Sequence, residues 1–187
     1  MTRRTVPILA LVLASPLAVT AQAPATVNYA ASGGSATFDV RVAFVPVRGT
    51  IAGVQAEVDL DPDDLGATSG KVTVPVVNLK TGNGVRDSHA RGERALFTEK
   101  YPNAVFTLEK LAGGRLVEGT PLSTTATGIL TVKATSRPIS VPVRATLSGG
   151  RVQVNTQFKF NPYDFDVRYT AIADSVAIDV SFVLAAQ

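Results

Sequence analysis

Leu79-Lys-Thr-Gly-Asn-Gly-Val-Arg-Asp-Ser-His-Ala-Arg-Gly-Glu-Arg-Ala-Leu-Phe-Thr-Glu-Lys-Tyr-Pro-Asn-Ala-Val-Phe106 is the stretch on which the fold turns. It interrupts a chain that otherwise alternates apolar and polar residues. It holds the only histidine, His89, with Arg86, Asp87, Arg91, Glu93 and Arg94 close by. Gly82-Asn-Gly84 reads as a turn. Helix is expected from Val85 to Leu96, and the Thr98 hydroxyl is placed to cap one further turn at Glu99-Lys100-Tyr101.

On both sides of this stretch the period is two, the signature of half-buried strands. Phe38, Val40, Val42 and Phe44 share a face, with Asp39 and Arg41 opposite. Val54, Ala56, Val58 and Leu60 form another face, and Val72, Val74 and Val76 the next. Phe106 and Leu108 resume the pattern after the interruption. Ala126, Gly128, Leu130 and Val132 follow, then Ile139, Val141, Val143 and Ala145. Val152, Val154, Phe158 and Phe160 precede a closing run of Val176, Ile178, Val180, Phe182 and Leu184. About eight to nine strands joined by short turns predict one antiparallel all-β domain, a barrel or a sandwich. The near-copies Leu111-Ala-Gly-Gly-Arg-Leu116 and Leu147-Ser-Gly-Gly-Arg-Val152 read as tight hairpin turns. Pro75, Pro138 and Pro142 cannot donate to a ladder, so each belongs at an edge, a strand start or a bulge.

The N-terminus reads as a secretory signal. Arg3 and Arg4 precede an apolar run from Val6 to Ala18 that is too short to span a bilayer. Cleavage after Val19-Thr-Ala21 leaves Gln22 first, so residues 1–21 are expected to be removed and 22–187 to form one domain. No cysteine offers an attachment point for lipid. Export to the periplasm or beyond is the expected outcome. Without disulfides, the core alone must hold the exported fold. Of 18 basic residues, two lie in the signal; the remaining 16 stand against 15 acidic ones, a net charge of +1. That balance argues against a nucleic-acid partner, which needs clustered cations. No later run is apolar enough for a stable membrane span.

Nothing in the chain assembles a catalytic site. Asp87, Ser88 and His89 are adjacent on a turn and point in different directions, and the Gly-x-Ser-x-Gly elbow is absent. One histidine and no cysteine make a zinc site implausible. Asp61-Pro-Asp-Asp-Leu-Gly66 has Leu65 where a calcium loop wants oxygen, so it reads as an acidic turn. No phosphate or dinucleotide loop is present. Accordingly we expect no enzyme, no metal and no cofactor.

Thr81-Gly-Asn, Arg86-Asp87, His89, Phe97, Tyr101-Pro102 and Phe106 together resemble the central signature of the YceI-like family. Gly128-Ile-Leu-Thr, Thr135-Ser-Arg-Pro138, Asp164-Phe165 and Asp174-Ser-Val176 extend the resemblance over nearly the whole mature chain. It departs from the family at Val40-Arg-Val-Ala-Phe44, where a histidine is common, and at Pro162-Tyr163, where arginine often precedes Asp-Phe. The resemblance implies a single antiparallel lipocalin-like barrel of about eight strands with a short helical insertion in the central segment. It implies binding, storage or transport of a long-chain isoprenoid or other amphiphilic lipid in the interior. The apolar lining is then assigned to Phe38, Val40, Val42, Phe44, Val54, Val72, Leu108, Leu130, Val143, Phe158 and Phe160. Arg86, Asp87, His89 and Arg91 become the residues of the mouth. Arg86 and Asp87 could instead brace the long connection, the reading favoured for Asp87, while Arg86 and His89 stay open. The alternative function is a secreted stress-related or interaction scaffold whose barrel is filled. The residues leave a homodimer open.

Overall fold

The computed structural model describes residues 26–187. The expected signal, 1–21, lies outside them. Among the described residues nine strands are formed: β1 Val27–Val42, β2 Val45–Leu60, β3 Ser69–Val74, β4 Leu79–Lys80, β5 Ala104–Leu111, β6 Leu122–Val132, β7 Thr135–Ser148, β8 Arg151–Phe160 and β9 Val176–Ala186. The α-helix among these residues, α1, covers Gly84–Arg91. The sheet runs β1-β9-β8-β7-β6-β5-β3-β2, and β2 pairs back onto β1, closing an antiparallel barrel of eight strands. Closure removes the free edges that would otherwise invite aggregation. The ninth strand, β4, pairs with β2 through Thr50 and Ile51. Because β1 occupies the other side of β2 throughout, β4 continues the line of β3 past a break at Pro75.

The alternation written in the sequence sets the inward faces, but glycine bulges twice reverse it. In β1, Tyr29 and Ala31 face inward before the irregularity at Ser32–Gly34, and Ala36 and Phe38 after it. In β2, Val47 and Ile51 face inward before Gly53, and Val54 and Ala56 after it. Gly33 (φ 102°) and Gly53 (φ 85°) supply backbone that a side chain disfavours. Gly34 pairs with Val54, so the two bulges meet and the hairpin kinks as a unit.

Proline marks breaks in the wall. Along β7, Pro138 and Pro142 pair with β6, but pairing with β8 begins only at Val143. The missing donors therefore face a stretch where no ladder exists. There the 3₁₀ turn Pro162–Phe165 lies alongside, with Arg137 Nε donating to the Asp164 carbonyl at 3.2 Å. Asn161 caps that turn through Tyr163 N, and Phe165, 2% exposed, meets the Phe160 ring edge-on at 5.4 Å.

Only one Gly-Gly pair makes the expected tight turn. Gly149 and Gly150 (φ 57° and 74°) join β7 to β8 directly. After Gly113-Gly114 the chain instead runs on to Leu122, and buried Leu116 folds inward. Leu65 N donates to Gly114 O at 3.0 Å and Leu116 N to Pro62 O at 2.7 Å, so the two connections close the far end together. Helix α1 is shorter than expected because Gly92 ends it, and residues 93–96 form turns.

Candidate functional site

The barrel interior is not filled. It holds a cavity of about 300 Å³ whose walls are almost wholly apolar, a size at the lower end of small-molecule sites. On β8 alone, Val152, Val154, Thr156, Phe158 and Phe160 all line it. Those eight residue steps span roughly 26 Å along the tilted strand. The site is therefore a slim channel running between the closed far end and the end that carries α1.

Two features keep it open. Many inward residues are small: Ala36, Ala104, Ala126 and Ala145 all line the cavity. Two aromatic rings that could fill it are drawn aside. Phe38 pairs with Gly49, and its ring occupies the space a Cβ on Gly49 would need, 2.2 Å from such an atom. The Phe106 ring lies over Gly128 in the same way, at 2.9 Å. Glycine on the neighbouring strand gives each ring a shelf to lie on.

Of the expected lining residues, Phe38, Val40, Val42, Val72, Leu108, Leu130, Val143, Phe158 and Phe160 border the cavity. Val54 does not: it is fully buried at the paired bulges, away from the channel surface. Phe44 is a correction. It sits in the two-residue turn between β1 and β2 with φ 69°, beside Ala43 at φ 46°, and is 94% exposed. The period-two pattern ran Phe44 on from Val42, but the strand ends at Val42 and the turn carries the ring outward.

The open end is built from the central segment. Asn83 caps α1 by accepting from Arg86 N at 3.0 Å. The Asp87 carboxylate, buried, accepts from Thr81 N at 2.8 Å and from the Thr81 hydroxyl at 2.5 Å. Arg86 Nε donates to the same hydroxyl oxygen, and its terminal nitrogen to Thr81 O, both at 2.8 Å. Arg91 donates to Leu79 O at 3.0 Å. These bonds satisfy a connection whose backbone would otherwise lack partners. The Thr81 hydroxyl is the main cause that holds the Asp87 carboxyl below the usual aspartate range. Desolvation opposes it; the Thr81 N–H and the charges of Arg91 and Arg86 assist.

The four expected mouth residues thus part company. Arg86 and Thr81 reach the cavity wall, Asp87 and Arg91 brace the segment from behind, and His89 is exposed away from the lining. Sequence reasoning missed the other side of the mouth, where Val167, Tyr169 and Ile172 of the connection after β8 line the cavity. Tyr163 OH holds this connection by donating to Ile172 O at 2.7 Å. The Asn161-Pro162 pair was its only local signal, a cap followed by a favoured first helical position.

Among the described residues no group of three metal-ligating side chains is assembled. No helix there is long and apolar enough to cross a membrane. Among the described residues one buried side-chain polar atom has no partner, the Thr68 hydroxyl, and Thr68 lines the cavity.

The YceI-like domain matches residues 26–184. Among solved structures, Burkholderia cenocepacia BcnA is 22% identical with a TM-score of 0.70, over 80% of this chain and 95% of that one. A polyisoprenoid binding domain from Saccharophagus degradans, implicated in plant cell wall breakdown, is 14% identical with a TM-score of 0.71, over 86% and 99%. The Campylobacter jejuni YCEI protein is 20% identical with a TM-score of 0.63, over 79% and 88%. At these identities the likenesses establish the barrel fold. No curated protein matches the sequence.

Proposed function

The chain belongs to the YceI-like family, and on that premise we propose that it binds and carries one amphiphilic lipid, its isoprenoid or fatty chain lying in the barrel. The observation that carries this reading is the apolar channel of about 300 Å³ with its mouth beside Arg86. The rival reading, a scaffold with a filled barrel, requires an interior without such space. The Saccharophagus domain, described as polyisoprenoid binding, supports the chemical class.

At a liquid-like volume of ~30 Å³ per water-sized group, the cavity takes about ten methylene-like groups. At ~0.8 kcal/mol each, their burial supplies roughly 8 kcal/mol before the cost of freezing the tail. Ample drive exists without catalysis, and the protein acts as a binding protein. Arg86 borders the cavity at the rim with two of its donors on Thr81, and its remaining donors are left for a head group. The apolar run Val6 to Ala18 and the site ending at Ala21 support export to the periplasm or beyond.

Organic extraction of protein purified from its native compartment, followed by mass spectrometry, tests the reading. A stoichiometric long-chain prenyl or acyl lipid is the expected result. Protein that carries no lipid and takes up neither farnesyl nor acyl probes would overturn it.

A further inference from the structure

We propose that the β1–β2 hairpin is a docking finger that inserts its tip into an anionic lipid bilayer and sets the cavity mouth against the membrane. The choice of partner rests on the lipid-carrier reading; the finger itself stands on separate observations.

The hairpin outruns the barrel. On one side β1 pairs with β9 only as far as Asp39, and on the other β2 pairs with β4 only as far as Thr50. Val45 lies five residues past Thr50, roughly 17 Å of strand. Beyond these limits the finger is tied by the connection after β8, where Ala43 N donates to Ala171 O at 2.9 Å and Ala173 N to Arg41 O at 2.8 Å. Those ties hold it in place while leaving the tip bare.

The backbone of the turn is held through Ala43 N and by the bridge between Val42 and Ile172, but the side chains at the tip are apolar and exposed. Phe44 is 94% exposed and Val45 59% exposed. A two-residue turn with positive φ at both positions favours Asn-Gly; here Ala43 and Phe44 occupy it. An aromatic ring is thus kept where the backbone disfavours it and where it buries nothing within the protein. Exposed Val85 stands at the first turn of α1, on the same end of the barrel.

What covers the tip follows from what adjoins it. The inner face of the finger is Val40, Val42 and Val47, and all three line the cavity. An apolar surface therefore runs unbroken from the exposed tip into the channel. The outer face bears Arg41 and Arg48. Asp39 neutralises Arg48, with two bonds of 2.9 Å, while Arg41 has no carboxylate partner among the described ion pairs. An apolar point backed by a free guanidinium suits the boundary between acyl chains and anionic head groups. A lipid tail leaving the bilayer would follow the finger's inner face into the barrel without crossing water.

The chain has no tryptophan, so Phe44→Trp gives a single reporter. Val183→Trp, on the outer face of β9 at 44% exposure, is the control. Both are titrated with vesicles of phosphatidylglycerol and phosphatidylcholine that contain no isoprenoid. A saturable blue shift for the Trp at 44 and none for the Trp at 183 is the expected result. Phe44→Ala should lower vesicle partition about 10- to 100-fold, with the melting temperature unchanged. Equal behaviour of the two reporters would overturn the proposal. So would a shift at 44 that grows with protein concentration without vesicles, since a second copy would then cover the tip. Docking that fails while lipid is still extracted from the barrel sinks the finger alone. Docking that succeeds with an empty barrel sinks the carrier reading alone.

Discussion

Ala126→Phe should close the channel. Ala126 is 4% exposed, sits on β6 opposite Val141, and lines the cavity. Phenylalanine adds six carbons to the alanine side chain, and the lumen takes about ten such groups. If the ring takes the place of six methylene-like units of tail, about 5 kcal/mol of burial is lost at ~0.8 kcal/mol each. That corresponds to roughly three orders of magnitude in Kd. A tail that bends or withdraws toward the mouth recovers part of this, so a rise in Kd of at least about 100-fold is the expected outcome. The assay is a titration with dansyl-farnesol in detergent-free buffer, alongside thermal melts. The ring enters existing space, so the fold should survive, with a stability change within the ~1–3 kcal/mol that overpacking costs. A folded variant with unchanged affinity would refute the placement of the tail in the lumen.

The remaining expectations concern the channel wall, the packing and bonds that support it, and the N-terminus. Gly49→Ala puts a Cβ where the Phe38 ring lies and 2.9 Å from Lys80 O; the displaced ring should weaken dansyl-farnesol binding and lower Tm by ~3–10 °C. Phe165→Ala removes a side chain 2% exposed that packs on Phe160. It should cost about 3–5 kcal/mol, a fall of roughly 6–20 °C in Tm read by calorimetry. For Asp87→Asn the test is pH. The folded carboxyl titrates below its unfolded value because Thr81 bonds the ionised form, so its stabilisation is complete above about pH 3.9 and vanishes as pH falls through the folded pKa. Melting curves of wild type and variant should therefore differ at pH 7 and converge in acid; a constant gap would dismiss the ionised bond as its source. Intact mass of the exported protein should place Gln22 first with no lipid attached, and a product retaining Arg3 and Arg4 would count against cleavage after Ala21.

The class of fold was legible because side chains in a strand alternate strictly. Each run from Phe38 to Val42, Val72 to Val74 and Val152 to Phe160 announces an inward face by itself. The chemistry of the insertion was legible too. A carboxylate at Asp87 between Arg86 and Arg91 is a local relation among neighbours in sequence, whereas Asn83, read only as part of a turn, caps α1 in the structure. The bracing expected of Asp87 has its counterpart in the bonds from Thr81.

Where an alternation stops, however, depends on partners far away in the chain. Nothing near Phe44 says that β1 ends at Val42; the turn is set by pairing with β2 and by the ties to Ala171 and Ala173. Val54 follows its own alternation, yet the opposed bulges at Gly33 and Gly53 take it off the channel wall. The same Gly-Gly-Arg sequence makes a hairpin at 149–150 and a long cap at 113–114, because only the latter finds Leu65 and Pro62 waiting. Whether the barrel is open is also a tertiary matter. The inward residues alone fit a packed core as well as a channel. The decision lies in where Phe38 and Phe106 rest, and each rests on a glycine that strand pairing brings beneath it. Local sequence dictates which face a side chain takes, while packing across strands dictates the space left between those faces.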